Sequence, residues 1–128
     1  MPRNISFALT TEQVRNRTKT VTRRIGWKSL KAGDVLNACV KCQGLKRGEK
    51  PQRICQIRVV SVVQEPLWEL VRNAAYGKSE AAKEGFPHMD GAEFVAMFCE
   101  HMRPPDGVVT RVTRIEFEYI DEVMVLDV

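Results

Sequence analysis

The chain has 128 residues, of which 44% are hydrophobic and 28% charged, and its formal net charge is +4. This length is typical of a single domain and is sufficient for a core that folds without disulfides. No apolar run approaches the ~20 residues that cross a bilayer, and the N-terminal residues lack the apolar core of a signal peptide. We therefore expect one domain over residues 1–128, located in the cytoplasm and without a membrane partner, whereas the oligomeric state stays open.

Positive charge is concentrated in one part of the sequence. Residues 13–58 contain thirteen lysines and arginines against two acids, Asp34 and Glu49, whereas the remainder of the chain is acidic. Clustered positive charge attracts phosphate, which favours RNA, a nucleotide or a nucleoside as the partner. The alternative is that the basic part pairs with the acidic part inside one fold.

The N-terminal segment predicts a strand followed by a short helix. Residues 5–10 alternate apolar and polar side chains, as in a half-buried strand. Thr10 or Thr11 is suited to cap a helix that covers residues 11–17. Residues 18–34 are basic and threonine-rich without apolar alternation, so we interpret them as a loop.

The middle of the sequence predicts two strands joined by a basic connection. Residues 35–40 follow a Gly-Asp turn and are apolar-rich, which favours a strand. Residues 54–64 are rich in valine and isoleucine and predict a second strand. The connection over residues 41–53 contains two glycines, a proline and five bases, and we expect it to be exposed.

The second half of the sequence predicts helices and then a strand. Pro66 suits a first helical turn, Ser79 and Gly85 suit the start and end of a helix, and Asp90 caps an amphipathic pattern. We expect helices over residues 66–73, 79–86 and 90–102, a strand over residues 108–120, and a tail or edge strand over residues 121–128.

This order of elements favours an α+β fold. Strands that are separated by helices and loops indicate a small, curled mixed sheet or barrel with short helices packed outside it. A doubly wound parallel sheet would need longer crossover helices than the sequence offers.

Lys19 and Thr22 are candidates for chemistry. In an extended strand, residues three apart point to opposite faces, but in a turn the amine and the hydroxyl could converge. The neighbouring Arg23 and Arg24 would then lower the pKa of Lys19, so that it could activate Thr22 as a nucleophile. A solvated basic turn explains the same spacing.

The residues "TKTVTRR", "LKAGD", "AAKEGF" and "TRIEFEY" resemble the pattern of the ASCH family, whose fold is the PUA-like β-barrel. The family's G-x-K-x-x-T-x-R loop is matched here by Lys19, Thr22 and Arg24. The family's acid corresponds to Glu84, and Arg17 stands where the family has glycine. The resemblance extends from residue 5 to about residue 120.

The resemblance implies a cleft for RNA or a modified nucleoside. Some small ASCH proteins remove the acetyl group from N4-acetylcytidine, and others are assigned ribonuclease activity. By this resemblance Lys19 would be the base, Thr22 the nucleophile, Glu84 the proton shuttle and Arg24 a positioning cation. The amide chemistry needs no cofactor and no metal.

Further side chains are candidates for substrate or RNA binding. Trp27 lies among cations and could stack a base, although it could equally be core. Phe86 follows Glu84 and could line a base pocket. The candidate cations for phosphate, in addition to those in the family pattern, are Arg23, Lys28, Lys46 and Arg47.

The four cysteines do not form a convincing metal-binding pattern. Cys39 and Cys42 form a CxxC pair at the end of a predicted strand. Cys99 and His101 are two residues apart on a predicted helix and would diverge, whereas structural zinc sites use ligand-bearing turns. We interpret these thiols as buried or half-buried cysteines.

Three functions therefore remain open from the sequence. The lysine, threonine and glutamate together favour a metal-independent amidohydrolase that acts on N4-acylated cytidine or a similar nucleoside. The long basic stretch favours a non-catalytic RNA-binding module, because a neutral nucleoside gains little from many cations. A ribonuclease that stabilises phosphate charge with Lys19 is the third.

Overall fold

A computed structural model describes residues 2–42 and 46–120, which form one sheet and several short helices. The prediction for residues 121–128 lies outside the described residues. The strands are β1 (Arg3–Ser6), β2 (Val21–Arg24), β3 (Val35–Cys39), β4 (Arg53–Pro66) and β5 (Arg111–Tyr119). The helices are α1 (Thr11–Arg15), α2 (Glu69–Arg72), α3 (Ala74–Lys83) and α4 (Gly91–Met102), and 3₁₀ turns occupy Ala8–Thr10 and Gly107–Val109.

The five strands form one curled half-barrel sheet in the order β1-β3-β4-β5-β2. β1 runs parallel to β3, and the other neighbours are antiparallel. A side chain joins the two edge strands, because Arg24 Nη2 of β2 donates to the Ser6 carbonyl of β1 at 2.7 Å. The α+β prediction is confirmed, with the helices packed beside the sheet.

Two hydrophobic clusters stabilise the fold. One fills the curl of the sheet and joins β1, β3, β4 and β5 to α1. The other packs α2, α3 and α4 against the adjoining ends of β4 and β5. Burial of this apolar area is the main stabilising term. In the described part of the chain no helix is both long and apolar enough to cross a membrane.

The structure confirms the predicted strands around β3, β4 and β5 and the capped helix α4. Asp90 forms the expected cap, because its side chain accepts a hydrogen bond from the Glu93 N–H while the Glu93 carboxylate bonds the Asp90 N–H. The predicted first strand is wrong beyond Ser6, where the chain turns into the 3₁₀ segment.

Three further boundaries differ from the prediction. The predicted loop over residues 18–34 contains β2, which was missed because two arginines in four residues are typical of a solvated turn. Pro66 is the last residue of β4 and does not start a helix. Helix α3 is capped by Asn73, which accepts from the Tyr76 N–H, and Ser79 lies inside it.

Candidate functional site

A pocket of about 210 Å³ lies between the sheet edges and the helices. One side is polar and is lined by Lys19, Thr22, Arg23, Arg24 and Glu84. The other side is apolar and includes Leu9, Phe86, Phe94, Met97, Phe98 and Met102. A small pocket with a few convergent polar groups on an apolar lining is typical of a site for a small organic ligand.

Lys19 and Glu84 form a buried pair at the polar side of this pocket. Lys19 Nζ lies 2.8 Å from Glu84 Oε1 and 2.8 Å from the Glu84 carbonyl oxygen. The two side chains are each only 3% exposed. The sequence resemblance therefore identified two residues, 65 positions apart, that the fold brings into contact.

The backbone on both sides of this pair is fixed by hydrogen bonds. The Tyr119 hydroxyl at the end of β5 donates to the Lys19 carbonyl at 2.6 Å. Glu84 follows the last residue of α3, and Gly85 then adopts a φ of 103°. A side chain at Gly85 would meet the Gln13 side chain, so glycine is required for this turn on both grounds.

Thr22 and Arg24 lie on the same side of β2 and contact each other. Arg24 Nε donates to Thr22 Oγ1 at 3.0 Å, and the Arg24 guanidinium lies 4.9 Å from the Phe7 ring centre. Lys19 precedes β2, so strand alternation does not separate it from Thr22, and both line the pocket. The alternative of a solvated basic turn is wrong for Lys19, Thr22 and Arg23, because these residues are buried.

Arg23 is held by carboxylates from three positions. Its Nη2 lies 2.6 Å from Glu65 Oε1 and 2.6 Å from Glu80 Oε1, and its Nη1 lies 2.9 Å from Glu84 Oε2. The Arg23 side chain has no exposed surface. Arg23 therefore orients Glu84 from the side opposite to Lys19, and its donors are used inside the protein rather than on phosphate.

The buried charges have shifted pKa values. Burial, aided by the charges of Arg24 and Arg23, lowers the pKa of Lys19, and the Glu84 carboxylate only partly opposes this. Burial also lowers the pKa of Arg24, to about 10, with Glu84 opposing the shift. At neutral pH Arg24 therefore stays charged, while the neutral form of Lys19 is favoured relative to an exposed lysine.

The pKa of Arg23 shifts in the opposite direction to those of Lys19 and Arg24. Burial alone would lower its pKa, but the charge of Glu84 and the hydrogen bonds to Glu80 and Glu65 outweigh that cost and raise it. For Glu80, burial disfavours the charged form, yet hydrogen bonds from Arg114 and Arg23 lower its pKa to about 2. Arg23 and Glu80 are therefore both ionised throughout the physiological pH range.

The structure brings only part of the predicted binding set to the pocket. Phe86 lines it, whereas Trp27, Lys28, Lys46 and Arg47 do not. Trp27 packs against the core of the curled sheet, and the Arg3 guanidinium lies 4.0 Å from its ring centre. Lys28, Lys46 and Arg47 are exposed, and their role in binding stays a prediction.

Four residues of the charge network were not identified from the sequence. Glu65, Tyr76, Glu80 and Arg114 surround Arg23, with Arg114 Nε 2.6 Å from Glu80 Oε1 and the Tyr76 hydroxyl 2.8 Å from Glu65 Oε2. A signal for one of them was present, since Glu80 and Glu84 are four residues apart and so share one helical face. Tyr76 also lies in α3, whereas Glu65 and Arg114 come from strands β4 and β5. No local pattern relates these three residues to Arg23.

Ion pairs inside the fold account for part of the uneven distribution of charge along the sequence. Lys19 and Arg23 belong to the basic part of the sequence, and their partners Glu65, Glu80 and Glu84 belong to the acidic part. Part of the charge asymmetry is therefore neutralised inside the fold.

Comparison with known proteins relates this chain to others by its fold. No protein-family model and no curated protein matches it. Its structure is similar to the crystal structure of protein EF3133 from Enterococcus faecalis V583, of family model DUF984. The TM-score is 0.61, and the alignment covers 94% of this chain and 81% of that one at 19% identity. At this identity the similarity shows a shared fold and nothing about the chemistry of the pocket.

Proposed function

We propose that this chain is an ASCH-type, PUA-like domain that hydrolyses the amide of an N4-acylated cytidine or a similar modified nucleoside. The observation that carries the proposal is the buried Lys19–Glu84 pair, which shares a pocket with the Thr22 hydroxyl and the Arg24 guanidinium. The sequence pattern of the ASCH family supports the same four residues. The curled half-barrel supports the fold assignment at the level of architecture.

Amide hydrolysis requires an activated nucleophile, a stabilised oxyanion and a protonated leaving group. A neutral Lys19 amine can donate its two N–H groups in hydrogen bonds to the carboxylate and the carbonyl oxygen of Glu84. Its lone pair is then free to accept the proton of Thr22. The Thr22 oxygen then attacks the acyl carbon, and the Arg24 guanidinium stabilises the negative charge that develops on the carbonyl oxygen.

The leaving amine takes up the proton that the Lys19–Glu84 pair holds, and the C–N bond breaks. The acyl group then remains on Thr22 as an ester. A water molecule gives its proton to the same pair and cleaves this ester, which releases the carboxylic acid and restores the Thr22 hydroxyl. Each proton taken up is returned, so the cycle consumes only water.

The pocket lining suits such a substrate. A pyrimidine ring is planar and largely apolar on its faces, and the phenylalanines and methionines of the apolar side offer contacts to those faces. The polar edge of the ring and the amide would face the charged side. A pocket of about 210 Å³ has room for a base and a small acyl group but not for a folded polynucleotide.

The experiment is an assay of purified protein on N4-acetylcytidine. We expect release of cytidine and acetate by the wild type, and loss of release in Lys19→Ala, Thr22→Val and Glu84→Gln variants that stay folded. Lys31→Ala is a matched control, because Lys31 is an exposed lysine outside the pocket. No cytidine release by the wild type at high enzyme concentration would contradict the proposal.

RNA binding is the second candidate function, and a separate surface favours it. Arg15, Arg17 and Arg53 line a groove with Gln52 that shares no residue with the pocket. A polar groove with several guanidinium groups is suited to phosphate oxygens. Binding of RNA at this surface should weaken steeply with salt, whereas hydrolysis of a neutral nucleoside should change little.

A further inference from the structure

Thr10 has a buried hydroxyl that the fold does not use. Thr10 is only 6% exposed and lines the pocket. It occupies the N-cap position of α1, yet its side chain makes no capping hydrogen bond. Among the described residues its hydroxyl has no hydrogen-bond partner, although a threonine at this position normally stabilises the helix through that group.

The structural role at this turn is taken by the next residue. Thr11 Oγ1 donates to the Phe7 carbonyl at 2.8 Å and thereby fixes the turn between β1 and α1. In the described part of the chain, every fully enclosed polar side-chain atom has a partner. The unpartnered Thr10 hydroxyl therefore keeps some accessible surface, and the pocket is the open space that Thr10 lines.

The pocket offers other hydrogen-bond donors that are not used. Arg24 donates through Nε to Thr22 and through Nη2 to Ser6, and its Nη1 has no partner among the described residues. Thr22 accepts that bond from Arg24, and before the reaction its own proton has no partner among the described residues, although this proton passes to Lys19 during the proposed reaction. In contrast, both carboxylate oxygens of Glu84 are occupied, by Lys19 and Arg23. The unused groups thus favour a ligand that presents acceptor oxygens.

We propose that Thr10 is a substrate-recognition residue whose hydroxyl donates a hydrogen bond to a ring carbonyl oxygen of the bound base. This inference rests on the proposed function and extends it: Thr22 and Arg24 act on the acyl carbonyl, and Thr10 reads a second oxygen on the ring. The ligand class is then a planar heterocycle that carries both an exocyclic amide and a ring carbonyl. An analogue without that oxygen would leave the buried hydroxyl unpaired, and the site would therefore discriminate against it.

Steady-state kinetics on N4-acetylcytidine with three variants tests this role. Thr10→Val keeps the shape and removes the hydroxyl, and Thr10→Ser keeps the hydroxyl. Thr11→Val is the matched control, because it removes a hydroxyl that serves the fold. A neutral hydrogen bond corresponds to a change of roughly 3- to 10-fold, so we expect Thr10→Val to raise KM by about that factor.

The split between KM and kcat separates recognition from structure. We expect Thr10→Val to leave kcat and the melting temperature close to wild type, and Thr10→Ser to restore KM. We expect Thr11→Val to lower the melting temperature without raising KM. An unchanged KM in Thr10→Val, or a loss of melting temperature equal to that of Thr11→Val, would overturn the inference.

A second substrate identifies the atom that Thr10 contacts. N-(pyrimidin-4-yl)acetamide keeps the amide and lacks the ring carbonyl oxygen. On this substrate Thr10→Val should perform as the wild type does, and a loss as large as that on N4-acetylcytidine would overturn the assignment to the ring oxygen. A wild type that hydrolyses neither amide overturns the proposed function itself, which is visible before any variant is compared.

Discussion

Two groups of bases from the same basic stretch of the sequence differ in burial: one group is buried and the other is exposed. Lys19 and Arg23 are buried and paired with the carboxylates of Glu65, Glu80 and Glu84. Lys46 and Arg47, between β3 and β4, are exposed. Both pairs contribute equally to the net charge, but only the exposed pair can attract a polyanion from solution. Local charge density in a sequence therefore overstates the positive surface of the folded protein.

The two buried bases differ in the direction of their pKa shifts. Lys19 and Arg23 are four residues apart and contact the same carboxylate, Glu84, yet burial lowers the pKa of Lys19 while three carboxylates raise that of Arg23. Arg23 thus acts as a fixed structural charge, and Lys19 is the group whose protonation can change during a reaction.

The largest expected effect is on activity, from Lys19→Arg. Arginine keeps the positive charge but cannot serve as a neutral base, so kcat should fall by about 10²–10⁴-fold. Lys31→Arg, at an exposed position, should retain wild-type kcat. Cytidine release measured for both variants checks this difference, and equal activity of the two would exclude Lys19 as the base.

A change in the charge network should affect stability. Arg23→Met leaves three carboxylates without their shared partner, and loss of one member of a buried ion network costs about 3–5 kcal/mol. Arg58→Met breaks the exposed pair with Glu118 and should cost about 0–1 kcal/mol. Urea unfolding of both variants measures the difference in free energy of unfolding. Similar values for the two would contradict the structural role of Arg23.

The same network predicts how stability depends on pH. Because the pKa of Glu80 is lowered to about 2 in the folded state from an ordinary value of 4.5, its contribution is complete above about pH 4.5. It is lost as the pH falls toward 2. The free energy of unfolding should fall less over this range in Glu80→Gln than in the wild type. Parallel curves for the two proteins would show that Glu80 titrates normally.

The smallest effect is expected from the exposed bases. Lys46→Glu combined with Arg47→Glu should weaken single-stranded RNA binding and reduce the salt slope by about 1.4, if each base contacts one phosphate. Hydrolysis of N4-acetylcytidine should stay unchanged, because neither residue lines the pocket. Affinity measured at several salt concentrations tests the slope. A parallel loss of hydrolysis would show that the two surfaces are not separate.

Local patterns predicted the elements whose signals are strong. The valine-rich run of β4 and the capped, amphipathic α4 form where the sequence places them, since their side chains follow the period of a strand or a helix. β2 was missed because its buried Arg23 is neutralised by carboxylates more than forty positions away. That information is not local to β2.

The candidate site was predictable only through the family resemblance. Spacing alone left Lys19 and Thr22 open between a reactive pair and a solvated turn, and nothing local connected either residue to Glu84. Thr10 was one of two threonines predicted as the helix cap, with Thr11 the other. The structure leaves the Thr10 hydroxyl without a capping bond and places the residue in the pocket lining. Such differences arise at residues whose environment is built by distant parts of the chain.

The most direct test of this account is a pH titration of the lysine side chains in protein labelled with ¹³C at lysine Cε. NMR spectra recorded at each pH monitor the protonation of each lysine. The Lys19 signal is assigned by its absence from the Lys19→Arg spectrum. We predict that Lys19 loses its proton at a lower pH than an ordinary exposed lysine, because burial and the adjacent guanidinium groups lower its pKa. A Lys19 signal that titrates together with the exposed lysines would contradict the proposal that this buried residue is the base of the reaction.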